Sequence, residues 1–488
     1  MEATGESGGA AARGDLTRGP ITRTLLVFAL PMLGSNILQS LNGSINAVWA
    51  GRFLGENAIA ATANANLIQF VLFSLLFGFG MAAAVLIGQA YGRRDIVEAR
   101  GVLGSAMALF FLIAVGIALL GFFLAPVMLR LLGTPPEVYV LARDYLRVIF
   151  IGMPPALLMV VLSMALRGAG DSVTPLFVMV LNVLLDAGLN PVFILGLGPA
   201  PRLGIAGAAT ATAIAGYGTF TALVALIYLR KQPLRLRGRE FGFLWPEARL
   251  IRPILVKGLP MGLQMTVMSI SGLAMMSFVD HTGALNVAAY GMIQQLWTYV
   301  QMPAIAIGAA ASAMAAQNVG ANQWDRVGRV TRSAVVSNIL FSTAAILLLM
   351  AADRPILTLF VGHDSPAIPV AQHIYRIGSW SMVLLGVSTC LFGTMRATGV
   401  VLVPLAATFI GLFPVRLGFV YLAVPRFGLD MLWLSFTVGS AAVMLMAMVL
   451  YLRGGWRRGR MLAVPDTIEA EERSLADSEP GGRLYPTG

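Results

Sequence analysis

The stretch VTPLFVMVLNVLLDAGLNPVFILG, residues 173–196, decides the fold class. As a helix rising about 1.5 Å per residue, it crosses a hydrocarbon core of about 30 Å. Yet it keeps a carboxylate, Asp186, near its middle, between Asn182 and Asn190. The three are spaced i, i+4, i+8, so a helix aligns them in one polar stripe. A charge at that depth costs at least about 2.5–3.5 kcal/mol on insertion scales, so it faces protein interior or water.

The stretch is one of many. The chain is 57% hydrophobic and 12% charged, with a mean hydropathy of +0.79. A soluble domain is about one quarter charged. Apolar runs predict about twelve spans: 24–51, 60–87, 102–126, 141–166, 173–196, 206–229, 253–280, 286–314, 330–351, 372–395, 401–424 and 430–452. The expected fold is therefore all-α, polytopic and embedded in membrane lipid. Residues 1–20 are small, polar and charged, without the apolar centre of a signal peptide, and read as a disordered tail. Residues 454–488 read likewise. Cys390 is the sole cysteine, which excludes an internal disulfide, and His281, His363 and His373 are too scattered to form a metal cluster.

The net charge of +11 is a matter of topology. Arginines crowd one set of loops: Arg13, Arg18 and Arg23, then Arg93, Arg94 and Arg100, then Arg167. The set continues through the connector KQPLRLRGREFG to Arg326, Arg329, Arg332, Arg396 and Arg453–Arg460. The alternate loops hold isolated residues such as Arg52, Arg202, Arg354 and Arg426. The positive side is cytoplasmic, so both termini are expected inside, and no nucleic-acid partner is needed to explain the charge. The arginine bias, with Lys231 and Lys257 the only lysines, agrees with a GC-rich genome, and the expected location is a bacterial inner membrane.

The chain also repeats itself. LVFALPML (26–33) is echoed by LVKGLPMG (255–262), GQAYGRRD (88–95) by AQNVGANQ (316–323), and RGAGDSVTPL (167–176) by RATGVVLVPL (396–405). The offset stays near 228 residues, as from Gln89 to Gln317. Each half holds an even number of spans, so both insert the same way up, related by a pseudo-two-fold axis along the membrane normal. The expected organisation is a six-helix lobe over 21–230, a basic cytoplasmic linker over 231–249 and a second six-helix lobe over 250–453. Two such lobes leave a central cleft suited to alternating access.

The repeat supplies an internal control for Asp186. At an offset of 229, Asn182 pairs with Gly411 and Asp186 with Val415. The carboxylate therefore belongs to the first lobe alone, which argues for an ion site rather than a packing device. A buried carboxylate takes up a proton or pairs with a cation. Sodium, a hard ion, wants oxygen ligands.

With these residues in view, the chain resembles the multidrug and toxic compound extrusion (MATE) family over roughly 21–453. The resemblance rests on the paired LPM motifs, INAVWAGRFLG (45–55), GQAYGRRD, RGAGDSVTPL, NVLLDAGLNP and GIAGAATATA (204–213). It implies a twelve-helix antiporter that expels organic, often cationic, compounds in exchange for H+ or Na+, with no other cofactor. It is closer to the DinF-like branch, whose cation site lies in the N-terminal lobe. That branch's aspartate and asparagine match Asp186 and Asn182, its sixth-helix threonine matches Thr212, and its first-helix kink proline matches Pro31. The family's first-helix aspartate is Asn46 here, which can ligate through its amide oxygen but carries no proton. The C-lobe carboxylates of the NorM-like branch fall on Met268 and Val400. The resemblance thus implies a cation site, for Na+ as well as H+, at Asp186, Asn182, Thr212 and Asn46.

Other features are weaker. Met265, Met268, Gln264, Gln294, Gln295, Trp297 and Tyr299 on the seventh and eighth spans form a candidate substrate lining, because thioethers and aromatics suit varied apolar ligands. Ordinary helix packing explains the individual methionines as well. Arg416, inside the eleventh span, reads as a snorkelling or paired residue, with an anion contact as the alternative. No nucleotide loop or catalytic constellation is present, so the expected driving force is an ion gradient, without ATP, and the chain is no enzyme. Two further readings belong to the same superfamily: a flippase for lipid-linked precursors, which would want arginines in its cleft, and an exporter of endogenous metabolites.

Overall fold

The computed structural model describes residues 14–54, 56–131, 133–197, 201–362, 365–459 and 461. Among them the structure is helical, without strands. Twelve helices are long and apolar enough to cross a membrane. We number these α1–α12. The first six are α1 (Ile21–Leu54), α2 (Glu56–Gly92), α3 (Ile96–Leu131), α4 (Pro136–Gly168), α5 (Val173–Leu195) and α6 (Ile205–Leu229). A connector with one 3-10 turn (Gly238–Leu244) leads to α7 (Ala248–Asp280), α8 (Ala284–Gly320) and α9 (Trp324–Ala351). A short helix, Asp353–Val361, precedes α10 (Ala367–Ala397), α11 (Leu402–Phe427) and α12 (Asp430–Leu452).

Local chemistry sets the helix ends. Pro136 opens α4 at its first position, where its missing N–H is not needed. Gly196 closes α5 in the left-handed conformation (φ 73°), which glycine adopts without a Cβ clash. α11 is interrupted by a π-helical turn at Gly411–Val415, which contains Pro414. Such a turn holds one residue more than the α-helix it replaces.

Helix packing repeats with a shift of six. In the first half α4 packs on α2, α3 and α6, and α5 packs on α1 and α6. In the second half α10 packs on α8, α9 and α12, and α11 packs on α7 and α12. Across the halves, α2 packs on α7 and α1 on α8. The two lobes are thus copies of one plan, joined through symmetry-related helix pairs.

The junction is tight. A Cβ on Gly78 of α2 would lie 2.2 Å from the backbone nitrogen of Gly262 on α7. A Cβ on Gly92 would lie 1.9 Å from the Gln317 carbonyl, and one on Gly320 would lie 2.0 Å from the Gln89 carbonyl. The echoed motifs GQAYG and AQNVG therefore meet each other. Their glutamines cross the seam in both directions. Gln89 Nε2 donates to the Ala397 carbonyl (2.7 Å), and Gln317 Nε2 donates to the Gly168 carbonyl (3.0 Å). Ser74 of α2 and Thr266 of α7 (3.2 Å) add a further hydrogen bond between the lobes. Among the described residues, the glutamine bonds join the lobes in the half of the molecule that holds residues 14–19.

Two expectations about the chain ends need correction. Residues 14–19, assigned to a disordered tail, are seated on the seam. The Leu16 N–H donates to Gln317 Oε1 (2.9 Å), Asn318 Nδ2 donates to the Leu16 carbonyl, and the Leu16 side chain is buried. Composition hides this, because one buried leucine and two backbone hydrogen bonds anchor an otherwise polar segment. At the other end Trp456 is buried, stacked on Tyr451 at a 5.0 Å centroid distance. The remaining residues of both assigned tails, 1–13 and 462–488 with Arg460, lie outside the described residues, as does His363.

Glycine positions give the packing a direct check. A Cβ on Gly207 of α6 would stand 2.3 Å from the Phe193 carbonyl of α5, whereas Gly188 of α5 has no atom within 4 Å of its Cβ position. We expect Gly207→Ala to lose about 1–3 kcal/mol through overpacking. Gly188→Ala should hold or raise stability, since alanine favours a helix interior by about 1 kcal/mol. Thermal unfolding of the purified proteins in one detergent checks the pair.

Candidate functional site

Asp186 is fully buried, with 0% of its surface exposed, in the interior of the first lobe. Three helices converge on it. From α1, Asn46 Nδ2 donates to Asp186 Oδ2 (2.8 Å). From α6, the Thr212 hydroxyl donates to Oδ1 (3.0 Å). From α5 itself, Asn190 Nδ2 lies 3.4 Å from Oδ1 and 2.8 Å from the Asp186 carbonyl. The same Asn190 nitrogen donates to Asn46 Oδ1 (2.9 Å). Asn46, Asp186 and Asn190 thus close a ring of hydrogen bonds. Tyr145 of α4 lies within Coulombic range of the carboxylate.

The contacts from Asn46, Thr212 and Asn190 to Oδ1 and Oδ2 each present a donor to the carboxylate, which suits an acceptor-only group. One oxygen is left over. Asn190 Oδ1 is buried and has no hydrogen-bond partner among the described residues. The site therefore gathers five side-chain oxygens, two from Asp186 and one each from Asn46, Asn190 and Thr212. Such a set fits a hard monovalent cation or a proton. No cluster of three or more His, Cys, Asp or Glu residues occurs among the described residues, so a transition-metal centre has no ligand set here.

The sequence-predicted residues divide. Asp186, Asn46 and Thr212 come together. Asn182 does not join them; its Oδ1 accepts from Thr219 of α6 (3.3 Å), one helical turn away. Asn190 takes its place. The polar stripe contained that residue, but spacing alone treats the turn before and the turn after Asp186 as equal. What selects Asn190 is the height at which Asn46 of α1 arrives.

The predicted substrate lining is not assembled. Gln264 is buried, donating to Thr408 (2.9 Å) and accepting from Arg396 (3.4 Å). Trp297 is buried and donates to Ser379 (2.9 Å). Gln295 bonds Tyr299 (3.2 Å), which is exposed, as is Gln294. Met265 and Met268 are half-buried on α7, and Met268 packs against the main apolar core. These residues point in different directions around their two helices, so their shared segments do not make one surface. Pro31 lies inside an unbroken α1 and is half-buried, with its carbonyl accepting from the Ser35 hydroxyl (2.9 Å).

α1 also ties the site to the other lobe. Its first half, through Leu25, Phe28, Ala29 and Met32, packs on Ala306, Ile307, Ala310, Ala311 and Met314 of α8. Its second half carries Asn46 to Asp186. Pro31 lies near the end of the first attachment, before the run of α1 that leads to Asn46.

Comparison with known proteins places this architecture. The family model described as MatE matches residues 31–192 and 260–422. The probable multidrug resistance protein YoeA of Bacillus subtilis is 33% identical over 440 residues, covering 90% of this chain and 95% of the relative. An FAD transporter of Shewanella oneidensis is 26% identical over 352 residues, covering 71% of this chain and 76% of that protein. Among solved structures, the crystal structure of MATE in the straight conformation is similar with a TM-score of 0.82 at 22% identity, covering 94% of this chain and 99% of the other.

The ring of hydrogen bonds sets a stability order. Asn190→Ala removes donors from Asn46 and from the Asp186 carbonyl. It should cost about 1–3 kcal/mol, the range for leaving buried polar groups unsatisfied. Asn182→Ala removes one long acceptor from the Thr219 hydroxyl, which keeps its 2.7 Å bond to the Ala215 carbonyl, and should cost about 1 kcal/mol or less. Equal losses in thermal unfolding would show that the two asparagines are energetically alike.

Proposed function

This chain belongs to the MATE family of transporters, and from that premise we propose that it exports organic compounds by alternating access, in exchange for H+ or Na+ bound at Asp186. It is not an enzyme. The observation that carries the proposal is the fully buried carboxylate held by donors from α1, α5 and α6.

Neutralisation changes that arrangement in a definite way. A proton on Asp186 turns one acceptor oxygen into a donor, which then faces Asn46 or Thr212 as a competing donor. The Asn46 amide relieves the conflict by rotating to present Oδ1. A sodium ion demands the same rotation, because it needs oxygens where Nδ2 now points. Asn190 Oδ1, unpartnered without the ion, supplies another ligand. Either ion therefore alters the bond between α1 and α5. Because α1 is packed on α8 at its other end, the change reaches the seam between the lobes. Pro31, lacking an N–H, is where α1 bends most cheaply.

The arginine-rich side, where the lobes are joined, is assigned to the cytoplasm of a bacterial inner membrane, with both termini inside. Ion entry from outside favours release of the compound outward, and ion loss inward resets the transporter. The similarity to YoeA, a probable multidrug resistance protein, supports varied small organic compounds as cargo.

The test is efflux from proteoliposomes with an imposed sodium gradient and an imposed proton gradient applied separately. A cationic and an anionic fluorescent compound are followed side by side. One gradient should drive efflux, and Asp186→Asn should lose it by at least about tenfold, equal to about 1.4 kcal/mol of coupling. Normal efflux in Asp186→Asn would overturn the assignment of the ion site. A second variant tests transmission. Pro31→Ala should keep ion binding and slow coupled efflux, and a wild-type rate would remove α1 bending from the cycle.

A further inference from the structure

We propose that the second lobe holds a charge-inverted counterpart of the Asp186 site, in which the buried Arg416 receives the anionic group of an organic cargo. The first step is register. The repeat offset of 229, fixed by Arg167 with Arg396 and Pro175 with Pro404, pairs Asp186 with Val415. The π-helical turn Gly411–Val415 adds one residue just before that point. In space the counterpart of Asp186 is therefore Arg416, which corrects the pairing read from sequence alone. The neighbours agree. Asp186 is bonded by Thr212, the eighth residue after Gly204, and Arg416 lies over Phe436, the eighth after Gly428. Both glycines have positive φ (57° and 90°) and precede α6 and α12.

The second step is the surroundings of the guanidinium. Arg416 is 7% exposed. Its Cζ stands 3.8 Å from the Phe436 ring centroid, and its stem lies on Gly439, where a Cβ would come within 2.8 Å of it. Trp297 and Tyr290 pack against Phe436 at 4.8 and 5.8 Å, and Trp433 stacks on Tyr290 at 5.9 Å. Within this aromatic wall Nε and Nη2 have no hydrogen-bond partner. No carboxylate pairs with Arg416 among the described residues. The acids of this lobe with recorded partners, Asp353 and Asp430, bond Gln372 and His373 near helix ends.

This is an incomplete site. A buried ion costs several kcal/mol to desolvate, and an aromatic face returns about 2 kcal/mol. The missing component is an anion. A guanidinium with two free N–H directions fits the two oxygens of a carboxylate or the edge of a phosphate. The rings around it accept a planar apolar body beside that group. A cationic compound here would meet an uncompensated like charge, so the expectation of chiefly cationic cargo does not suit this lobe. The cation goes to Asp186 and the anionic group to Arg416, each neutralising its own lobe. That the ligand is cargo rests on the export reading; that Arg416 binds an anion does not.

The test is calorimetric titration of the purified protein in detergent with 1-naphthoate and with its neutral isostere 1-naphthamide, corrected by micelle blanks. The wild type should prefer the acid by about tenfold or more, the scale of a charge-assisted hydrogen-bond pair. Arg416→Gln should erase that preference while leaving the amide affinity within about threefold, below one kcal/mol. Arg416→Lys, which keeps the charge and loses the planar fork, should fall between. Equal wild-type affinity for acid and amide would overturn the proposal, and so would an unchanged preference in Arg416→Gln. The wild-type ratio decides alone if the variant does not fold. Binding in detergent needs no gradient. Normal acid binding with no gradient-driven efflux would therefore sink the coupling scheme and leave the anion site standing.

Discussion

A carboxylate sealed from water must be met by donors from the protein itself, and much of the first lobe is arranged around that requirement at Asp186. Lipid offers no hydrogen bonds, so the cost of a bare charge there is several kcal/mol. Asn46, Asn190 and Thr212 meet it from three helices. To deliver them, α1 and α6 must both flank α5, at one height. The close approach of α6 to α5 at Gly207, where no side chain fits, is part of the same geometry. The polar ring is therefore a structural centre in its own right, and any ligand bound there would act on contacts that already position three helices.

The seam between the lobes follows a different logic. It is built from small residues and backbone contacts, with glutamines reaching across in both directions. Membrane helices gain little from apolar burial against each other, since lipid is equally apolar. Close backbone approach and hydrogen bonds therefore carry the association. Such contacts are strong when matched and leave no large apolar face when separated, which suits the opening that the proposed cycle requires. The segment 14–19 complicates this picture, because Leu16 bonds the same Gln317 that crosses the seam. Any motion that frees Gln317 from Gly168 must also displace or carry that segment.

Much of the architecture was legible in the sequence because both of its signals are long-range and redundant. Twelve apolar runs and three echoed motifs each point to the same two-lobe plan. The site was legible in part. An intramembrane aspartate is rare enough to announce itself, and Thr212 and Asn46 lay in stretches that resembled a known family. Asn182 against Asn190 was beyond reach, since helical spacing fixes a face and leaves the height of the neighbouring helix free. Leu16 was lost in a polar tail. The substrate lining was hard to read for a related reason: a count of methionines and aromatics over two helices does not say which way each faces.

The case of Arg416 shows how one residue of register changes a chemical reading. Aligned by a constant offset, the second lobe has valine where the first has aspartate, and the lobe looks inert. The π-helical turn moves the next residue into that place, and the valine is replaced by a guanidinium. Proline helps hold the bulge, because Pro414 has no N–H to give to the α-helical ladder. The two lobes then share a scaffold and differ in sign. The first presents an anion to neutral donors, and the second presents a cation to aromatic faces. Among the described residues neither side chain has an ion-pair partner in its own lobe. Two lobes that each lack a counter-charge respond most strongly to ligands of opposite sign, because a ligand shifts a conformational equilibrium only through its differential affinity for the two states.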